Sequence, residues 1–171
     1  MTLRVLKVRP SYAVLMVTST PVDPLALESQ VCFALAVASR RVIAEYRPLL
    51  EPMGLTHPQY LVMLALWQAE PRSVNELAGL LSLEPATLSP LLKRLEVLGH
   101  VRRERRRGDE RTLDVTLTEE GRGLREQALA IPPAMLQRLD LTTDELRQLH
   151  AQLTDLIART GERERTEPPG S

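Results

Sequence analysis

The sequence predicts a mainly α protein with one small β-hairpin, arranged as a dimeric winged helix-turn-helix. Three observations predict it. Two short amphipathic segments, 73–81 and 86–98, follow one another across the brief polar break "SLEP". Leu113, Val115 and Leu117 then alternate with Thr112, Asp114 and Thr116, the period of two of a half-buried strand. Long segments with apolar residues at helical spacing flank this block on both sides.

The elements follow in order. Asp23-Pro24 has the form of a cap followed by a first helical residue. Leu27, Val31, Leu35, Ala38, Val42, Tyr46 and Leu49 continue it as one long helix to about Leu50, which Pro48 bends or ends. "EPMGLTHP" is a linker, and a nearly all-apolar helix runs from about Pro58 to Gln68. After the break "AEPRS", Ser73 and Glu76 form a capping box for a short helix whose apolar face carries Leu77, Leu80 and Leu81. "ATLSPLLKRLEVLG" is the next helix, stopped by Gly99. Local rules leave its start open, because Pro90 can be its first residue after a Ser89 cap or can lie inside a helix that begins near Pro85. "HVRRERR" and the alternating strand pair through the turn "RGDE". Thr118 caps a helix to about Ile131, where Pro132-Pro133 interrupts it. A second capping box, Thr142 to Glu145, opens a helix with Leu146, Leu149, Leu153, Leu156 and Ile157 on one stripe.

Composition limits the function. Formal net charge is zero, so any charge-driven binding must come from local clustering. The single cysteine, Cys32, excludes an internal disulfide and suits a reducing, cytoplasmic setting. Scattered histidines, with no CxxC, HExxH or glycine-rich phosphate loop, give no metal or cofactor site. No stretch approaches the ~20 apolar residues of a membrane span. Residues 1–22 are expected to be a disordered extension, with either Met1 or Met16 as the start.

Charge does cluster at "RRERRRGDER", residues 102–111, where six of ten residues are arginine. A charged hairpin can simply be a protected sheet edge. Its position directly after the helix pair points instead to double-stranded DNA, with Arg105, Arg106, Arg107 and Arg111 toward phosphates and a narrow minor groove. Thr87, Ser89, Lys93 and Arg94 lie on the preceding helix, whose N-terminal end is the part that meets base edges. The apolar stripes of the first and last helices exceed what one small domain needs. They are expected to pair with a second copy and to present two helices to a pseudo-palindromic operator.

"SVNELAGLLSLEPATLSPLLKRLEVLGHVRRERRRGDERTLDVTLTEEG" resembles the core of MarR-family regulators, including the D-x-R of the wing, Asp109-Glu110-Arg111. The resemblance implies that Arg111 enters the minor groove, that Asp109 braces the wing tip, and that Pro90 lies inside the recognition helix. Upstream, "QVCF", "SR", "YRPLL" and "PQY" resemble the organic-hydroperoxide-sensing, OhrR-type branch. That implies a redox-sensing site of Cys32, Tyr46, His57 and Tyr60. In that branch an organic hydroperoxide oxidises the cysteine to a sulfenic acid and the dimer releases DNA, and the resemblance implies the same for Cys32. His57 stands where that branch carries a second tyrosine; a protonated imidazole there would favour a thiolate. Cys32 is expected about two turns into its helix, beyond most of the helix dipole, with Glu28 as its nearest sequence charge. With no second cysteine, the sulfenic acid passes to a mixed disulfide with a small thiol, to a sulfenamide, or to over-oxidation.

The resulting organisation is a 1–22 extension, a 23–56 dimerisation and sensor helix, a 57–118 winged helix-turn-helix, 119–160 C-terminal dimerisation helices and a 161–171 disordered tail. The expected protein is a repressor and not an enzyme. The alternatives are a repressor released by an aromatic or phenolic ligand without cysteine chemistry, and a thiol peroxidase built on the same cysteine.

Overall fold

The computed structural model describes residues 23–106 and 108–166. In chain order the elements are α1 (Val31–Leu50), α2 (His57–Gln68), β1 (Arg72–Ser73), α3 (Val74–Leu81), α4 (Pro85–Val97), β2 (Val101–Arg106), β3 (Asp109–Leu117), α5 (Glu119–Ala128), α6 (Ile131–Arg138) and α7 (Thr143–Thr166). The chain divides into two compact units, Met1–Ala38 and Ser39–Ser171, and the division falls inside α1. The expected extension and its alternative start at Met16 lie outside the described residues, as do residues 167–171. Residues 161–166 of the expected tail continue α7.

In the first unit, Asp23-Pro24 makes a turn and does not start the long helix. The Asp23 carboxylate accepts the Leu25 N–H at 2.9 Å, and Leu27–Ser29 form a 3-10 turn. Gln30 is extended, and α1 begins only at Val31. Cys32 therefore sits in the first turn of α1 and not two turns into it.

The second unit is built around α4. Leu88, Leu92 and Leu95 recur at helical spacing and are fully buried against Leu77 of α3, Val62 and Leu66 of α2, and Val101 and Val115 of the hairpin. Each such side chain contributes about 1.5–3 kcal/mol relative to exposure. Leu50, Met53 and Leu55 belong to the same cluster, so the core runs straight through the 56/57 boundary expected from sequence. Ala128, Ile131 and Met135 carry it across 118/119 as well. The expected linker is structured: Glu51–Met53 form a 3-10 turn, Gly54 adopts φ 66°, and buried Gln59 accepts the Thr56 N–H at 2.9 Å to complete a capping box on α2.

The capping boxes at Ser73/Glu76 and Thr142/Glu145 form as the sequence predicts. Leu80 does not join the apolar face of α3; it is 53% exposed, and Ala78 takes the buried place beside Leu77. Pro132-Pro133 do not interrupt a helix either. They occupy the opening turn of α6, where a missing N–H costs nothing. The hairpin gains a third strand that alternation could not reveal in two residues: β1 pairs antiparallel with β3, Arg72 opposite Val115, giving the order β1-β3-β2. In α7, Leu149 is 45% and Ile157 67% exposed, so this stripe faces outward from the single chain.

The hairpin closes at a crowded joint. A Cβ on Gly121 would fall 2.0 Å from the His100 carbonyl oxygen, while one on Gly123, two residues along α5, would meet nothing within 4 Å. Gly121→Ala should therefore destabilise the protein by about 1–3 kcal/mol, since both colliding groups are backbone-anchored. Gly123→Ala should stabilise it by about 0.5–1 kcal/mol through helix propensity. Paired urea denaturation of the two variants checks the contrast.

Candidate nucleic-acid interface and redox site

Helix α4 owes its outward face to its inward one. With Leu88, Leu92 and Leu95 buried, Thr87, Ser89, Lys93 and Arg94 are all exposed. Pro85 opens the helix and Pro90 lies within it, so the Ala86 carbonyl has no ladder donor at that position. The Ser89 hydroxyl donates to the Pro85 carbonyl at 2.9 Å. Between α3 and α4, Ser82 takes a left-handed conformation, φ 50°, which turns the chain sharply enough to pack the two helices together.

Acids hold the wing in place. Glu96 of α4 accepts the Arg103 Nε–H at 2.9 Å and ties β2 to α4. The Arg106 guanidinium bridges both oxygens of Asp114 at 2.7 and 3.0 Å. Gly108 turns the tip at φ 83°. Asp109 accepts the Arg111 N–H at 3.1 Å and the Thr112 hydroxyl at 2.6 Å. These bonds, the Thr112 hydroxyl first, hold its carboxyl below the usual range. Arg105 and Arg111 are exposed on the strands, and Arg107 lies outside the described residues. Of the arginines expected at DNA, Arg106 is thus committed to a carboxylate. Sequence reasoning missed Glu96, Arg103 and Asp114; the only signal for them is that a neutral chain with an arginine cluster must place its acids somewhere close.

The structure brings together three of the four expected sensing residues, all in the second unit. Tyr46 of α1 stands edge-on to His57 at a ring-centroid distance of 5.0 Å and 6.0 Å from Tyr60. Tyr60 in turn stands 6.3 Å from Trp67. Burial raises both tyrosine pKa values, and Tyr46 raises that of Tyr60 further, so both hydroxyls remain donors. Burial lowers His57, which keeps its ring neutral near pH 7 and works against the imidazolium envisaged from sequence. Two cavities flank the stack. One of about 670 Å³ has His57, Ile43 and Leu55 in its wall, and one of about 520 Å³ has Tyr60, Leu64 and Leu129. Cys32 belongs to the first unit and is exposed. Among the described residues no cluster of three or more metal-ligating side chains occurs.

A helix pair with a positioned arginine-bearing hairpin behind it defines the winged-helix class of DNA-binding proteins. Residues 45–127 match the family model described as transcriptional regulator SarA/Rot. The chain is 39% identical over 135 residues to the organic hydroperoxide resistance transcriptional regulator of Bacillus subtilis (strain 168), covering 79% of this chain and 92% of that one. It is 45% identical over 146 residues to the HTH-type transcriptional regulator TtmR of Methylorubrum extorquens (strain PA1), covering 83% and 75%. Among solved structures it resembles AbfR of Staphylococcus epidermidis, with a TM-score of 0.67, 37% identity and coverage of 80% and 94%. The chain belongs to the MarR/SarA family of winged-helix transcriptional regulators, and it is a homologue of the Bacillus hydroperoxide-resistance regulator.

Neutral, half-buried histidines set an acid limit on stability. For His57 and His100, burial lowers the folded-state pKa below about 6.5, against which the Glu120 carboxylate works at His100. The unfolded chain then binds the proton more readily, so this stability is complete above about pH 6.5 and is lost as pH falls below it. Urea midpoints measured from pH 8 to pH 5.5 should decline across this window, and His57→Gln should flatten part of the decline.

Proposed function

We propose that this regulator is a cytoplasmic homodimeric repressor that reads a pseudo-palindromic operator through α4 and the wing and releases it when an organic hydroperoxide oxidises Cys32. The observation that carries the redox half is the placement of Cys32, exposed in the first turn of α1 within "QVCF", in a chain 39% identical to a hydroperoxide-resistance regulator. The exposed Thr87, Ser89, Lys93, Arg94 and Arg111 support the DNA half. Solved relatives with DNA include a structure described as reduced AbfR bound to DNA, 36% identical to this chain with a TM-score of 0.64. The outward stripe of α7 supports pairing with a second copy. Among the described residues no helix is long and apolar enough to cross a membrane.

The chemistry balances simply. The Cys32 thiolate attacks the terminal peroxide oxygen, the O–O bond breaks, an alcohol leaves after protonation, and a sulfenic acid remains. A small thiol then condenses with it and water departs.

Cys32→Ser should hold operator DNA in the presence of cumene hydroperoxide while the wild type lets go, as read by gel shift; release of the variant by peroxide would refute the sensing role. For a dimer that neutralises on the order of 6–10 phosphates, affinity should fall about 10³–10⁵-fold between 50 and 200 mM salt.

A further inference from the structure

The register of the wing slips at one point. Arg105 pairs with Leu113, but its neighbour Arg106 pairs with Asp109. Glu110, Arg111 and Thr112 consequently have no partner on β2 and bulge from the hairpin, with Arg111 exposed among them. A bulge redirects the side chains it carries, so whatever fixes it also aims them.

Arg106 holds this bulge from both ends. Its backbone pairs with Asp109 on the near side, and its guanidinium reaches past the bulge to both carboxylate oxygens of Asp114 on the far side. The same guanidinium lies 3.9 Å from Glu76, whose carboxylate caps α3 by accepting the Ser73 N–H. A phosphate would have to compete with two carboxylates for it, one of them only 15% exposed. Bidentate pairing also fixes a plane and a direction that a single contact would not.

We propose that Arg106 is a positioning residue of the DNA-binding wing: its strap to Asp114, across the bulge and toward the cap of α3, sets the pose of Arg111 and thereby operator affinity. This rests on the wing being part of the DNA interface.

The test uses the full chain and a duplex selected by the wild-type protein from a random pool, with affinity read by fluorescence anisotropy between 50 and 200 mM salt and the active fraction read by stoichiometric titration. Arg106→Gln and Asp114→Asn should each weaken binding about fivefold, with the wild-type slope against salt and a full active fraction. The double variant should bind no more weakly than either single one, because one contact is removed in all three. A salt slope reduced by about 0.9 in Arg106→Gln, with Asp114→Asn unaffected, would make Arg106 a phosphate contact and overturn the strap. A lowered active fraction at unchanged affinity would reduce it to a folding role and overturn it too. Arg111→Ala serves as the reference: if it alters neither affinity nor slope, the wing reading itself fails, whatever the Arg106 variants do.

Discussion

The wing depends on the contact between the His100 carbonyl and Gly121. The two ends of the hairpin meet there. Thr118 donates its N–H to His100 at 3.1 Å and its hydroxyl to Gly99 at 2.5 Å. Gly121 approaches so closely that no side chain fits. Trp67 of α2 donates its indole N–H to the Gly121 carbonyl at 2.9 Å, and Glu70 accepts both the Leu117 N–H and the Arg122 guanidinium. The hairpin base is thereby fastened to α2 and α5 at once. Because only Leu98, Gly99 and His100 separate the end of α4 from the start of β2, α4 and the wing share one origin at this joint.

On that origin, charge is distributed by subtraction. The chain is neutral, and its acids are not spread evenly. Glu96 takes Arg103, Asp114 takes Arg106, and Glu70 with Glu119 takes Arg122. Arginines near the base of the wing and on its flank are neutralised in place, whereas Lys93 and Arg94 on α4 and Arg111 on the bulge face solvent. A local positive field results from which carboxylates the fold brings home, without any excess of basic residues.

Much of this was legible in the sequence, and what was not has a physical reason. Capping boxes at Ser73 and Thr142 are local, three-residue signals, and both formed where expected. Alternation over residues 112–117 identified β3, with Val115 and Leu117 buried. Asp23-Pro24 misled because a cap followed by proline also describes a tight turn; extended Gln30 separates that turn from the helix, which moved Cys32 to a helix start. Pro132-Pro133 reads as a stop because a proline pair looks the same before a helix as within one. The two-residue β1 has too few positions to show a period. The pairs Glu96–Arg103 and Arg106–Asp114 depend on strand register, and the slip at Arg105/Arg106 is invisible in composition. Tyr46, His57 and Tyr60 lie close together, and the neutral state of His57 follows from burial, which a single sequence does not display.

Pro90 takes one hydrogen bond out of α4, and the buried leucines on either side of it hold the helix in place. Its ring removes one rung of the ladder and leaves the Ala86 carbonyl without its usual donor, a turn from the exposed start of α4. Beyond it, Leu92 and Leu95 anchor the helix in the core. On the near side of that missing rung Leu88, seated between Thr87 and Ser89, is fully buried as well, so the exposed face of α4 is held to the core on both sides of the proline.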